Sequence, residues 1–572
     1  MIKKGGGPAT GRRKAADRRD ALTQLAALAA WATLLVGCVA LPLAQPGVLA
    51  FRDMLVLDHP AVSPAAFGFG DLPARNVPQD GVVALLGTVL PASWVARGLI
   101  VAAAAGGAVG AALLARAVGG GPVAVATAML LNVLNPGVVE RLLQGQWSLA
   151  VAAWLLPLIA WAFLRSRVRM GWWLILPASL TPTGLVLAGT VATACHHFSH
   201  AGGSIPRLCG LASGRSGPAS ALESRAHSFR GQKKPPAGQL KNKRAGRNKP
   251  AAGSPAPWLT WVIIALLSLA WLIPAVFSAL AGAGTGTSSA ASAAAFAPRA
   301  EAHLGTLGTL LTFGGMWNVE AAPASREAGF GIFGLVLAGL TATGWRAIPR
   351  PLRRIAVVGL AICVAAWLLP GWYAWAVETL PGGGLLRDAH KFIFLALPAA
   401  IAGLGGIRRP LAWVVLTLAL VQAWDFPGEL QALQPIEPPI PAAAVARVDD
   451  GRSVLVPGSD TVVQIGGVPT VNPWDKALNT VASGRLVVGG VTVDAASPRR
   501  QAAEDAWARR DTATLAELGV GWVISPDDGS VLASTDASRP PRWPIALGVG
   551  LCAVWAAAIP VGLFACRPRA AR

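Results

Sequence analysis

Long apolar runs, most of them closed by arginine, lysine or proline, alternate with short polar segments over most of this chain. About 20 apolar residues rising 1.5 Å each are enough to cross a hydrocarbon core of about 30 Å. Spans are predicted at 21–44, 92–115, 121–134, 148–164, 258–281, 329–345, 355–376, 392–407, 410–424 and 543–565. Residues 172–195 are interrupted by Pro177 and by Thr181-Pro182-Thr183-Gly184, which predicts two short half-helices or a re-entrant pair. The total is about twelve crossings. From 425 to 542 the pattern becomes that of a soluble domain, with β-like runs at Ser453–Val456, Arg485–Val488 and Gly521–Ser525 and a helix-like stretch at 501–518. The expected fold is a polytopic α-helical membrane protein of about 11–13 transmembrane helices, with a small exterior α/β domain before the last helix.

Charge gives this arrangement a direction. If the chain starts in the cytoplasm, the inner loops carry 31 of the 49 Lys and Arg but only 3 of the 28 Asp and Glu. Orientation follows Lys and Arg near the spans, so both termini are expected inside and the acidic chemistry outside. The resulting units are a basic head (1–20), a transmembrane region with its first exterior loop at 45–91 (21–197), and a basic loop (198–256). A second transmembrane region (257–424), the exterior domain (425–542) and a last helix with its tail (543–572) complete the chain. The loop at 198–256 has eleven Lys and Arg against Glu223 alone and few apolar anchors, which predicts a disordered cytoplasmic segment.

The composition, 53% hydrophobic and 13% charged with a mean hydropathy of +0.52, belongs to a chain whose solvent is mostly lipid. The surplus of basic residues therefore points to the anionic inner leaflet of a bilayer, not to nucleic acid. Cys38, Cys363 and Cys552 fall in apolar runs and Cys195, Cys209 and Cys566 in inner segments, so no exported disulfide is expected. Abundant Ala, Gly, Val and Arg beside a single Tyr suggest a GC-rich bacterium and its plasma membrane. Neither the glycine-rich head nor the Cys195, His196, His197, His200, Cys209 group has the spacing of a phosphate loop or a zinc site, so no metal or cofactor is expected. Most of the 22 Trp read as interfacial anchors, with Trp474, Trp507 and Trp522 as candidates for sugar contact.

Three exterior segments concentrate polar residues where the chain has just left lipid. They are Phe51-Arg52-Asp53-Met54-Leu55-Val56-Leu57-Asp58-His59-Pro60 with the following 73–80, Asn135 to Trp147, and Gly384 to Phe392. Charges retained at span ends need either partners or a function. Mutual ion pairing that staples helix ends together is one reading of them, and a site is the other.

The basic head, the single span and the long exterior loop with an early acidic residue resemble the GT-C superfamily of membrane glycosyltransferases, which use polyprenyl-phosphate sugars. The Asn135–Trp147 and Leu385–Phe392 segments are similar to those of actinobacterial members, including arabinofuranosyl- and mannosyltransferase-like envelope proteins. The resemblance implies a catalytic carboxylate in the first exterior loop, which here is Asp53 or Asp58. It implies a polyprenyl-phosphate sugar as donor and an envelope glycan or glycolipid as acceptor, both met at the lipid bilayer.

Such a transfer needs a base for the acceptor hydroxyl and positive charge where the phosphate leaves. Arg387, His390 and Lys391 are the candidates for the donor phosphate, with Arg52 as a second candidate. Gln79, Asp80, Glu140 and Gln144 are the candidates for the acceptor hydroxyls. A non-catalytic assembly partner of the envelope and a lipid-linked sugar flippase remain alternatives. Against the flippase, the charges cluster at span ends and not near mid-membrane.

Overall fold

In the computed structural model, the described residues are 8–203, 255–280, 290–380, 382–488 and 490–565. Most of the loop expected to be disordered, 204–254, lies outside them. The described residues are predominantly helical, and eight helices among them are long and apolar enough to cross a membrane. Two shorter apolar helices fall at Gly331–Ala342 and Ala389–Gly405, inside or beside the spans expected at 329–345 and 392–407.

In chain order, the helices that frame the site are α1 (Pro8–Ala40), α2 (Gln79–Gly87), α3 (Ala92–Ala117), α4 (Pro122–Val133), α5 (Pro136–Leu143) and α6 (Trp147–Leu164). They are followed by α7 (Val168–Ala178), α8 (Pro182–His200), α9 (Pro257–Leu280), α10 (Gly331–Ala342), α11 (Arg350–Leu368), α12 (Leu397–Gly405) and α13 (Ala412–Gln422). Every residue of α6 is buried. A helix that is apolar all round has no solvent-facing side to offer, so it becomes the axis on which the others pack. Small residues on α3 let it come close. A Cβ added at Gly110 would sit 2.6 Å from the Leu158 backbone nitrogen, and one at Gly107 would sit 2.9 Å from the Trp154 carbonyl oxygen.

The interrupted segment 172–195 forms α7 and α8, two helices joined by a turn at Ser179–Thr181. Thr181 caps α8 by accepting from the Gly184 N–H at 2.9 Å, and Pro182 at the first helical position adds a preset φ. The turn is held at one end of the bundle, where the Leu180 carbonyl accepts from the Gln79 N–H at 3.1 Å. At the other end, His196 bonds Thr260 and the Pro255 carbonyl, and Trp172 also reaches Thr260. The start of α7 and the end of α8 therefore share one end of the bundle with the start of α9.

The first loop folds into a two-stranded hairpin, β1 (Leu49–Phe51) and β2 (Met54–Val56). The C-terminal unit contains β3 (Ser453–Leu455), β4 (Val462–Ile465), β5 (Val468–Val471), β6 (Leu486–Val488), β7 (Val491–Asp494), β8 (Val520–Ile524) and β9 (Val531–Ser534). Its main sheet has the order β3-β8-β9, the first pair parallel and the second antiparallel, and α14 (Pro498–Ala508) covers part of it. The last helix, α15 (Trp543–Ala565), then packs against α2, α7 and α9.

The hairpin and the C-terminal unit share an apolar core. Val48, Ala50, Leu55 and Leu57 pack with Val454, Trp474 and Ile524. Trp474, a candidate for sugar contact, is 3% exposed and belongs to this core. Trp522 and Trp507 carry the guanidinium groups of Arg452 and Arg510 on their faces at 4.6 and 4.1 Å.

Candidate functional site

The turn of the β1–β2 hairpin consists of Arg52 and Asp53. Arg52 takes a positive φ of 52° there. The turn lies against the segment after α5, where the Asp53 N–H donates to the Gln144 carbonyl at 3.0 Å. Glycine is required opposite it. A Cβ on Gly145, whose φ is 87°, would come within 2.2 Å of the Met54 nitrogen and 2.6 Å of the Phe51 oxygen. A short local signal, Gln144-Gly145-Gln146, thus sets how deeply the hairpin seats.

Beneath the turn is a hub built on Arg141. Its guanidinium makes a two-pronged ion pair with Asp388, one prong at 3.0 Å, and donates to Gln146 Oε1 at 2.8 Å and His390 Nδ1 at 2.8 Å. Arg141 is fully buried and Asp388 nearly so. Arginine only donates and a backbone carbonyl only accepts. Because Arg141 donates to Nδ1, the Nε2–H of His390 donates to the Phe313 and Gly314 carbonyls, at 3.2 and 3.0 Å. His390 is therefore a neutral, buried brace, with no ring nitrogen left for a phosphate.

The same logic fixes Gln146. Its Oε1 is occupied by Arg141, so its Nε2 faces the Asp53 carboxylate and donates to Oδ2 at 3.3 Å. Lys391 stands on the other side of Asp388, 3.8 Å away and partly exposed, within electrostatic reach of Asp53. Asp53 is open to solvent yet densely surrounded by protein. Burial pushes its carboxyl above the usual range, and hydrogen bonds from Gln144 and Gln146 with the charges of Lys391 and Arg141 offset part of that. Burial acts the same way on Asp388, but Arg141 and Lys391 overcome it and hold that carboxyl at about 2. Two neighbouring carboxylates are thus driven in opposite directions.

The remaining candidates fall elsewhere. Asp58 accepts from the Ser93 hydroxyl, and its carbonyl accepts from the Ala92 N–H at 2.9 Å, so it braces the start of α3. Arg52 is spent on Glu320, through the carboxylate at 3.1 Å and the carbonyl at 3.1 Å. Arg387 stacks on Phe296 at 4.1 Å and bonds Asp494 of the C-terminal unit at 3.1 Å. Arg75 shares that oxygen at 3.2 Å. Glu140 is fully buried, accepting from the Gly315 and Met316 N–H groups at 3.3 and 2.9 Å. Gln144 accepts from Asn318 at 2.7 Å beside the hairpin turn. Gln79 bonds Asp80, and Asp80 pairs with Lys476 at 2.5 Å, at a separate seam between the first loop and the C-terminal unit.

Of the sequence candidates, Asp53, Lys391 and Gln144 share one site, and His390 lies directly beneath it. The parts that sequence reasoning left without a role are Arg141, Asp388 and Gln146, together with the segment 299–326. Glu301 in that segment bonds Arg326 at 2.7 Å and shares the Gly315 N–H with Glu140. The signal was present, since Arg299, Glu301, Glu320 and Arg326 are charges beside apolar runs, but the surrounding Ala, Gly and Ser hid it. Among the described residues, no group of three or more His, Cys, Asp or Glu is placed to hold a metal. Comparison with known proteins finds no family model, curated protein or solved structure that matches this chain.

Proposed function

We propose that the chain is a membrane glycosyltransferase that moves a sugar from a polyprenyl-phosphate donor to an envelope glycan or glycolipid on the outer face of a plasma membrane. One observation carries the reading. A solvent-reachable carboxylate whose pKa is raised, Asp53, stands within electrostatic reach of a partly exposed ammonium, Lys391, at the head of a short apolar helix. The two come from segments more than 330 residues apart and are held by a common buried hub.

In the proposed step, the acceptor oxygen bonds to the anomeric carbon as its proton passes to the Asp53 carboxylate. The bond from that carbon to the phosphate oxygen breaks, and the polyprenyl phosphate leaves with its added charge against Lys391. A base whose pKa is raised towards the working pH suits the first event, and an ammonium in a partly dehydrated place suits the second. We assign the base to Asp53 in preference to Asp58, whose carboxylate already accepts from the Ser93 hydroxyl at the start of α3.

The test uses the full chain in nanodiscs with a radiolabelled polyprenyl-phosphate pentose or hexose and an envelope glycan acceptor. Label should reach the acceptor with the wild type. No transfer with any donor of this class, from folded protein, would sink the reading in favour of an assembly role.

A further inference from the structure

The helix Pro370–Thr379 has an uncovered apolar face at the rim of the bundle, and its place there follows from the helix before it. α11 has 19 residues and no charge after Arg354, so it rises roughly 28 Å, nearly the thickness of a hydrocarbon core. Pro370 ends it. The residue before a proline is pushed out of the helical region, and Leu369 has φ −125° and ψ 52°. α11 runs beside the 389–396 segment towards the hub. A Cβ at Gly359 would clash with the Phe392 carbonyl, and the Cys363 thiol donates to the Ala389 carbonyl at 3.2 Å. Beyond the break, the Tyr373 hydroxyl donates to the Leu386 carbonyl at 2.6 Å. Pro370–Thr379 therefore lies just past the end of a span, at the end of the bundle that carries the first loop.

The two sides of this helix are unlike. Tyr373, Ala374 and Val377 turn inward and pack with Ala293 and Leu386. Trp372 and Trp375 turn outward, 72% and 50% exposed, with their rings in edge contact at 5.7 Å. The exposed side chains of Trp367, Leu368 and Leu369 join this face to the end of α11, and on the span itself Val357 and Val358 are exposed as well. No charge occurs from 355 to 377, and Glu378 is the first. An uncharged aromatic patch of this kind is rarely left to water. Indoles favour the boundary of a bilayer, since the ring is apolar and its N–H needs a polar partner. Trp94 and Trp543, about half exposed, mark the same level, because α3 begins against Asp58 and α15 against Phe69.

We propose that Pro370–Thr379 is an interfacial helix whose Trp372 and Trp375 insert into the leaflet on the first-loop side of the membrane. Through Tyr373 and Leu386 it fixes the height at which the segment carrying Asp388 and Lys391 stands over the bilayer. The occupant of the outward face is lipid, because that face continues the surface of a helix long and apolar enough to cross a membrane, and it bears no charge for a protein partner to match. The inference is independent of the glycosyl-transfer reading.

Gly371 is exposed one turn before Trp375, and an added Cβ there meets no neighbour within 4 Å, so Gly371→Cys accepts a nitroxide label without replacing either tryptophan. The labelled full chain is placed in nanodiscs of phosphatidylglycerol and phosphatidylcholine, and the signal of the chain without the added cysteine is subtracted. Electron paramagnetic resonance then reads collisions of the label with oxygen, which concentrates in lipid, and with a water-soluble nickel chelate. Val357→Cys on α11 marks lipid and Asp527→Cys in the C-terminal unit marks water, both at exposed positions. The Gly371 label should lose most of the nickel collisions seen at Asp527 and gain oxygen collisions towards the Val357 level. Adding Trp372→Ala and Trp375→Ala, both surface changes, should restore the nickel collisions. Nickel access at Gly371 equal to that at Asp527 overturns the proposal, as does access that the two alanines leave unchanged. Dipolar broadening of the Gly371 label, absent at Asp527, also overturns it, because the face would then be covered by a second copy of the chain.

Discussion

Asp53 and Asp58 lie five positions apart in one loop, and the structure gives them opposite employment. Asp53 sits in a two-residue turn with no helix to serve, seated on Gly145 and within electrostatic reach of Lys391. Asp58 follows the second strand, where the chain must turn into α3, and its carboxylate and carbonyl serve Ser93 and the Ala92 N–H. The Asp58 carboxylate is thus engaged by a side chain of the first turn of α3, whereas Asp53 is met by the neighbouring glutamines and by the charges of Lys391 and Arg141. The difference arises from what lies opposite each residue. The register of the hairpin is set by an apolar core shared with a unit 400 residues away, with Val48, Ala50, Leu55 and Leu57 as its near side.

The largest contrast is expected in transfer activity. Asp53→Asn should reduce transfer by about 10²- to 10⁴-fold, the loss typical of removing a general base. The same change should leave thermal unfolding of the purified protein unaltered or slightly improved, because the amide no longer carries a charge that burial disfavours. Retained transfer in this variant, with loss in Asp58→Asn, would reverse the comparison.

Breaking the hub attacks the frame and leaves the base in place. Arg141→Met removes the two-pronged partner of the buried Asp388 and leaves it only the longer contact with Lys391 at 3.8 Å, which should cost up to about 3–5 kcal/mol of stability. Adding Asp388→Leu should recover much of that loss, since two apolar side chains can replace a buried pair. Chemical unfolding in detergent reads both variants. If the double variant regains stability but still transfers sugar at the wild-type rate, Arg141 has no part in placing Asp53 through Gln146.

How far the sequence carried this picture depends on the range of the contacts. The three polar segments were legible because each interrupts an apolar pattern, and residues of all three, Asp53, Arg141 and Asp388, meet in the hub or just above it. The break at 179–181 was legible from Pro182 and Thr181, which are local signals. The partner of each charge was not. Arg387 pairs with Asp494, and Arg52 pairs with Glu320, across separations that no periodicity encodes. Crossing number was also blurred, because α10 and the Ala389–Gly405 stretch are shorter than a full span and read as such only once their neighbours are known.

On the Asp58 side a smaller effect is expected. Ser93→Ala or Asp58→Asn should lower stability by about 1 kcal/mol, the usual consequence of losing a side-chain contact at a helix start, with transfer by the folded fraction unchanged. A loss of transfer without loss of stability would mean that Asp58 does more than brace α3.

The smallest effects concern pH, and here Asp53 is best compared with Asp388, its neighbour across the hub. Asp388 titrates lower in the folded chain than in the unfolded one, where a carboxyl of this type sits near about 3.9. Its ionised form therefore stabilises the fold above about pH 4, and that contribution is lost as pH falls towards about 2. Asp53 is raised, so the sign reverses. The folded chain holds its proton more tightly than the unfolded one, and stability falls as pH rises through the interval above about 3.9. The wild type should thus lose to Asp53→Asn in stability above that interval and match it below. Because only ionised Asp53 can take a proton from the acceptor, the acid limb of the transfer rate should also lie above the ordinary aspartate value. Unfolding midpoints and transfer rates measured from pH 2 to 8 on both proteins decide the matter. An acid limb at or below about 3.9, or a stability difference independent of pH, would show that Asp53 is neither raised nor the base.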